Sequence, residues 1–190
     1  VVFLVNGTET FTDTEAPYEL VRKMRASICL LGPLAGRLGR AEIPMPGGCV
    51  IGNRPIDLHI RALQGLGAKV RLKGGVVQID AENLKGNKLF LGGRHGSTVT
   101  GTANALMVAC LTPGITTLDG AACEPEIIDL CKMLLSMGAQ ISGVGSHRLI
   151  VEGVDRLNGC QHKVIPDRIE TATYVLAAAI TNGEILIHGA

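Results

Sequence analysis

The sequence predicts an α/β (α+β) fold made of repeated units, and two internal repeats carry that prediction. Helix-like segments rich in small residues, at 24–37, 98–111 and 169–181, each lead through a glycine into a short strand, at 41–45, 115–118 and 184–188. A second helix type, opened by Pro55 or Pro125, alternates with the first. Leu63-x-x-x-Gly67-Ala68-x-Val70 recurs as Leu134-x-x-x-Gly138-Ala139-x-Ile141, so that glycine ends each of these helices just before a strand. A hairpin follows in both copies, through Lys73-Gly74-Gly75 into 76–80 and through 143–147 into 148–152.

Taken in order, residues 1–5 form a strand-like run that begins without methionine, which reads as the interior of a longer protein. In the helix after Pro55, Ile56, Ile60 and Leu63 fall on one face; Ile127, Cys131 and Leu134 do the same after Pro125, and both stripes read as core. Asp167, Arg168 and Glu170 open the last helix, where their default role is structural, and the strand expected after it stops short of the final residue, Ala190.

Composition narrows the function. Of 190 residues, 46% are hydrophobic, enough to bury a substantial core. Lys+Arg 18 against Asp+Glu 17 gives no basic field, and three Phe, two Tyr and no Trp leave little for base stacking, which argues against nucleic acid as a partner. No apolar run approaches the roughly 20 residues of a membrane span, and the N-terminus lacks a signal peptide, so the expected partner list has no membrane and the expected location is cytoplasmic. The six cysteines form no Cys-x-x-Cys pair and the five histidines no metal spacing, so no metal is expected and five of the thiols read as reduced and mostly buried.

Cys49 is the exception. It sits in Pro46-Gly47-Gly48-Cys49-Val50-Ile51-Gly52-Asn53-Arg54-Pro55, where glycines let the backbone turn tightly and approach a ligand, with Arg37, Arg40 and Arg54 nearby in sequence. About 3% of a thiol with a pKa near 8.5 is ionised at pH 7, and neighbouring cations raise that fraction and attract an anion.

Met24-Arg25-Ala26-Ser27, Leu31-Gly32-Pro33-Leu34, Pro46-Gly47-Gly48-Cys49, Arg54-Pro55-Ile56-Asp57-Leu58-His59, Glu124-Pro125-Glu126-Ile127 and Pro166-Asp167-Arg168-Ile169-Glu170-Thr171 occur in this order. Through them, and across essentially its whole length, the chain closely resembles the bacterial UDP-N-acetylglucosamine 1-carboxyvinyltransferases. The resemblance implies an inside-out α/β barrel of repeated units, enolpyruvyl transferase-like and here incomplete, with helices inside and sheets outside. Residues 1–164 would form the later part of the catalytic lobe and 165–190 the truncated first unit of the second lobe. The implied reaction moves an enolpyruvyl group from phosphoenolpyruvate to the 3-hydroxyl of UDP-N-acetylglucosamine and releases phosphate, the first committed step of peptidoglycan synthesis and so of cell-wall biogenesis, cell shape and division. No cofactor is implied. Partners are the two small-molecule substrates and the missing segments of the chain's own full-length protein, which would carry the general base and further anion-binding residues.

The resemblance also implies roles. Cys49 would be the proton donor to C3 of phosphoenolpyruvate and the thiol alkylated by fosfomycin. Arg25 would contact the nucleotide sugar or the enolpyruvyl anion; read alone it is a solvated charge. Arg54, Pro55, Ile56, Asp57 and Leu58 would bind UDP-N-acetylglucosamine at a helix start. Ser97, Thr98, Val99 and Thr100 follow a glycine-rich loop and would contact the nucleotide, with Arg94 of an Arg94-His95 insertion replacing a lysine common in the family. Arg168 would meet ligand on lobe closure. Glu124 and Glu126 read as first-turn charges rather than an acid/base pair, and His59 as a helix-face residue. Two alternatives remain: a 3-phosphoshikimate 1-carboxyvinyltransferase-like enzyme, which would not use the Pro-Gly-Gly-Cys loop, and a non-catalytic nucleotide-binding fragment.

Overall fold

The structure is a computed structural model that describes residues 13–47, 55–94 and 96–190. The chain passes through a short helix α1 (Tyr18–Val21), a 3-10 helix (Arg25–Leu30), α2 (Leu31–Leu38) and β1 (Arg40–Pro44), then α3 (Asp57–Gly65), β2 (Lys69–Lys73) and β3 (Val76–Asp80). It continues with β4 (Lys88–Phe90), the two-residue strands β5 (Gly92–Gly93) and β6 (Gly96–Ser97), α4 (Val99–Ala109), β7 (Ile115–Asp119), α5 (Pro125–Ser136), β8 (Gln140–Ser142), β9 (Arg148–Glu152) and α6 (Arg168–Thr181).

The internal repeat is a repeat of topology. One sheet has the order β1-β3-β2, and the order β7-β9-β8 recurs within a second. In both, the last strand lies antiparallel between the other two, in five-residue registers that run from Arg40↔Asp80 to Pro44↔Val76 and from Ile115↔Glu152 to Asp119↔Arg148. The outer edge of the first strand is also used alike: β4 lies parallel to β7, and Glu15 makes a parallel bridge to Glu42 of β1. The Leu-x-x-x-Gly-Ala motif closes α3 and α5 identically. The Ala68 N–H donates to the Leu63 carbonyl at 3.0 Å and the Ala139 N–H to the Leu134 carbonyl at 3.0 Å, with Gly67 (φ 101°) and Gly138 (φ 97°) in the left-handed region that this cap requires.

Helix α4 is the hub. Gly101, Thr102, Asn104, Ala105, Leu106, Val108 and Ala109 are all buried, the state expected of a helix that is small and apolar nearly all round. It packs on α2, α3, α5 and the 3-10 helix, with the two sheets outside these helices. The approach to α2 is closest where glycines face it: a Cβ on Gly32 would stand 2.6 Å from the Asn104 carbonyl oxygen, and one on Gly36 3.3 Å from Val108 Cα. The two sheets stay open among the described residues, so the inside-out arrangement is present without a closed barrel.

Two expectations are corrected, and one strand was not expected. The segment 24–37 is not one helix, because Pro33 has no N–H to continue an upstream turn; a 3-10 helix ends at Leu30 and α2 starts at Leu31, putting Pro33 in its first turn. Residues 184–188 form no strand, since a strand exists only through a paired neighbour and none is present among the described residues. Conversely, β4 pairs with β7 although its three residues carry too short a pattern to read. Helix α6 matches expectation: the Asp167 carboxylate caps it by accepting from the N–H groups of Ile169 (2.8 Å) and Glu170 (3.1 Å). It has no buried residue, and Ile169, Val175, Leu176 and Ile180 are exposed.

The α2–α4 contact makes a differential prediction. Gly32→Ala drives a methyl into the Asn104 backbone and is expected to cost at least about 2 kcal/mol of stability. Gly36→Ala needs only a shift of a few tenths of an ångström, offset by the roughly 1 kcal/mol that alanine gains over glycine in a helix, so it should be near neutral. Urea unfolding midpoints of the two variants check the order.

Candidate functional site

A chain of buried polar groups runs through the middle of the molecule where the 3-10 helix, α2, α3 and α4 meet. Asn104 (1% exposed) accepts the Gly32 N–H at Oδ1 (2.7 Å) and donates from Nδ2 to the Ile28 carbonyl (2.9 Å). The same Nδ2 lies 2.8 Å from Nδ1 of His59 (3% exposed), whose Nε2 lies 3.2 Å from Thr100 Oγ1. Burial, with the nearby Arg25 guanidinium adding to it and Asp57 opposing it, pushes the His59 pKa down to about 4, so the ring is neutral at pH 7.

This chain gathers several of the candidate binding residues. Arg25 is half-buried in the first turn of the 3-10 helix held by Asn104 through Ile28. Pro55 is exposed just ahead of α3, Ile56 is buried at its N-cap, and Asp57 (exposed) and Leu58 (half-buried) form its first turn next to His59. Thr98 caps α4 by accepting the Gly101 N–H at 3.2 Å, and Val99 and Thr100 start that helix. The loop ahead of it is a hairpin of β5 and β6, with Ser97 in β6 and Arg94 exposed in the turn. A Cβ on Gly93 would stand 2.9 Å from Leu58 Cδ1, so the hairpin closes directly over the start of α3. Glycine permits that approach.

Other expected residues are not brought here. Cys49 and Arg54, and His95 of the insertion, lie outside the described residues. Arg168, at the start of α6, pairs with Glu126 of α5 (Nε–Oε1 2.9 Å, Nη2–Oε2 3.4 Å). The Glu126 carboxyl is held below its ordinary range first by its own backbone N–H and then by Arg168, while the side chain of Glu124, at the α5 N-cap, makes no cap bond. His59 lies on the buried face of α3, with both its ring nitrogens hydrogen-bonded in the core. Asn104 was not singled out by sequence reasoning; the available signal was a lone carboxamide inside the otherwise small and apolar 98–111 segment.

Of the five described thiols only Cys110 and Cys131 are buried, whereas Cys29, Cys123 and Cys160 are partly exposed, so the expectation of mostly buried thiols holds for two of them. Cys110 and Cys131 are buried, which pushes them up to about 12 and about 11, and burial also raises Cys29. Cys123, at the end of the β7–α5 loop, is half-buried with Sγ 3.3 Å from His147 Nδ1. His162 Nε2 meets Asp129 at 3.1 Å, and no group of three or more His, Cys, Asp or Glu side chains among the described residues is placed to hold a metal. No helix among them is long and apolar enough to cross a membrane.

Comparison with known proteins places this geometry among enolpyruvyl transferases. The family described as EPSP synthase (3-phosphoshikimate 1-carboxyvinyltransferase) matches residues 2–190. Proteins named UDP-N-acetylglucosamine 1-carboxyvinyltransferase from Methylacidiphilum infernorum and Akkermansia muciniphila are 55% identical over 175 residues and 56% identical over 168 residues, covering 92% and 88% of this chain. The chain spans 42% and 40% of their lengths. In fold it is similar to the crystal structure of the enolpyruvyl transferase NikO from Streptomyces tendae (TM-score 0.68, 25% identity, 85% of this chain and 38% of that one). It is also similar in fold to EPSP synthase from Acinetobacter baumannii (TM-score 0.61, 21% identity, 83% of this chain and 36% of that one).

The depressed His59 pKa sets the sign of an acid effect. The unfolded chain binds a proton on this ring near pH 6.5 and the folded chain only near pH 4, so the folded state loses stability as pH falls through that window and keeps it in full above. The difference of about 2.5 pH units corresponds to on the order of 3 kcal/mol. Urea unfolding from pH 7 to 4 should therefore show a steeper loss for the wild type than for His59→Gln, which has no ring to protonate.

Proposed function

Since the chain belongs to the EPSP synthase (3-phosphoshikimate 1-carboxyvinyltransferase) family, we propose that it is part of a UDP-N-acetylglucosamine 1-carboxyvinyltransferase, which transfers enolpyruvyl from phosphoenolpyruvate to the 3-hydroxyl of the nucleotide sugar. The observation that carries this reading is identity above half along 92% of the chain to a protein of that name, against 21% to an EPSP synthase. The motif Pro46-Gly47-Gly48-Cys49, one of those that carry the resemblance to the nucleotide-sugar enzymes, supports the same choice.

The reaction is an addition followed by an elimination. The methylene carbon of phosphoenolpyruvate takes a proton while the sugar hydroxyl adds to its neighbour; loss of phosphate and of a proton then restores the double bond. Cys49 is proposed as the proton donor, since a thiol is far more acidic than a hydroxyl and a glycine-rich loop lets it reach the carbon. Arg25, Arg54, Pro55, Ile56, Asp57, Leu58, Ser97, Thr98, Val99 and Thr100 are proposed to hold the nucleotide sugar. The Asn104–His59 chain supports this assignment by tying the segments that carry Arg25, Asp57–Leu58 and Thr100 to one another. Arg94, exposed on a hairpin above Leu58, is proposed to supply the cation that a lysine supplies in other family members. Arg168 is proposed to reach ligand on closure by exchanging Glu126 for the anion.

The buried residues between Val21 and Val151 share one hydrophobic core, and α6 then presents an apolar surface with nothing buried. That contrast supports residues 1–164 as the later part of a catalytic lobe and 165–190 as the first unit of a second lobe completed elsewhere in the protein. A cytoplasmic role in peptidoglycan synthesis follows from the proposed substrates.

Four measurements on the full-length protein test the reading. Phosphate release should require UDP-N-acetylglucosamine; release with shikimate 3-phosphate instead would favour the sibling activity. Cys49→Ser should abolish most turnover while calorimetry still finds nucleotide-sugar binding, and limited exposure to fosfomycin should label Cys49 alone, with Cys110 and Cys131 further protected because burial holds them protonated. Arg54→Ala should weaken nucleotide-sugar binding by about 1.5–3 kcal/mol, the loss of a charge-assisted hydrogen bond, with an unshifted thermal melt.

A further inference from the structure

Asn104 and His59 are buried, hydrogen-bonded and unused by the chemistry proposed above. Their surroundings leave a single arrangement of protons. The Gly32 N–H at 2.7 Å demands the carboxamide oxygen, and the Ile28 carbonyl at 2.9 Å demands the amide nitrogen, so Asn104 cannot be turned over. The second N–H of that nitrogen meets His59 Nδ1 at 2.8 Å, and Nδ1 must accept it. The one ring proton of neutral His59 therefore sits on Nε2 and is donated to Thr100 Oγ1 at 3.2 Å. A hydroxyl that accepts from one side retains its own proton for a different acceptor, and among the described residues Thr100 has no second partner. Thr100 is only half-buried, one residue into α4 and two beyond the Thr98 cap, on the side where the Arg94 hairpin enters.

We propose that Asn104 and His59 are positioning residues that commit the Thr100 hydroxyl as a hydrogen-bond donor to an anionic oxygen of the bound nucleotide sugar. The inference rests on the functional reading above and deepens it. Protonating His59 would place a hydrogen against the Asn104 amide, so the arrangement is stable only with a neutral ring, in keeping with its burial. The same bonds hold the 3-10 helix, the α2 start and the α3 first turn around Thr100, so the donor and the backbone beside it are set together.

The test has a spectroscopic arm and a kinetic arm, both on the full-length enzyme. Nitrogen-15 NMR should find His59 as the neutral Nε2–H tautomer at pH 7; an Nδ1–H tautomer or an imidazolium overturns the inference without reference to any ligand. In kinetics, the His59→Gln amide nitrogen can take the place of Nε2 and still donate to Thr100, whereas the shorter His59→Asn side chain can only replace Nδ1. The expected result is a KM for UDP-N-acetylglucosamine about tenfold higher in His59→Asn and less than threefold higher in His59→Gln, with the KM for phosphoenolpyruvate moving less than twofold in either. Equal effects of the two variants on the nucleotide-sugar KM, or thermal melts lowered with that KM intact, would reduce the chain to a structural role and overturn the inference. Should His59→Asn fail to fold, the tautomer decides. A wild-type enzyme that binds shikimate 3-phosphate and not the nucleotide sugar overturns the functional reading and the ligand half of this inference, while leaving the tautomer result standing.

Discussion

A carboxamide buried in a protein core must find partners for both ends or lose several kcal/mol, and at Asn104 those partners come from the 3-10 helix, α2 and α3 at once. The rest of the structure depends on that constraint. Gly32 has no side chain because the Asn104 backbone stands where a Cβ would be, and the Gly32 N–H, one of the donors that a helix start leaves unpaired, is satisfied by the amide across the interface. Asn104 thus performs at a distance the task usually given to an N-cap side chain, and α2 has no side-chain cap of its own. The helices around α4 are held by fixed hydrogen bonds as well as by apolar contact, so their relative positions are specified rather than merely favoured.

Duplication of one topology explains how the site is supplied. Each unit runs from one helix to a strand, on to a second helix, and back along a hairpin. The segment between the first strand and the second helix contains Cys49 in the first unit and Cys123 in the second. Only in the first unit is that segment long and glycine-rich. In the second it is a short link from β7 to α5, and its thiol sits against His147 and the Ala121 carbonyl. Equivalent segments of a duplicated fold are therefore free to diverge in length and composition.

The route from β9 to α6 shows how a unit can be tethered without sharing the core. Gly153 and Val154 first donate their N–H groups to the Gly114 and Cys110 carbonyls; beyond them Asn158 donates its N–H to the Met137 carbonyl at 2.8 Å, His162 meets Asp129, and Arg168 meets Glu126, all on α5 or its C-cap. The Arg168 pair is exposed and worth about 1 kcal/mol or less, weak enough to exchange for a ligand anion. The apolar face of α6 lies beyond these anchors.

By itself the sequence determined the elements and their repetition, because both are local. Glycine caps, proline helix starts and apolar spacing act over four to eight residues, and the Leu-x-x-x-Gly-Ala copies closed α3 and α5 as read. The segments carrying Arg25, Asp57 and Thr100 were legible for the same reason, as short motifs. What lay beyond it was every feature made by residues far apart in the chain. The parallel pairing of β4 with β7, the absence of pairing for 184–188, and the restart of the helix at Leu31 depend on which neighbours are present and on where Pro33 falls relative to them. His59 read only as a helix-face residue of α3, beside the Ile56, Ile60 and Leu63 stripe, because its partners Asn104 and Thr100 are 45 and 41 residues away. A side chain's protonation and tautomer are set by such distant partners. Only the tertiary structure could decide that this histidine is neutral, which nitrogen carries its proton, and which hydroxyl receives it.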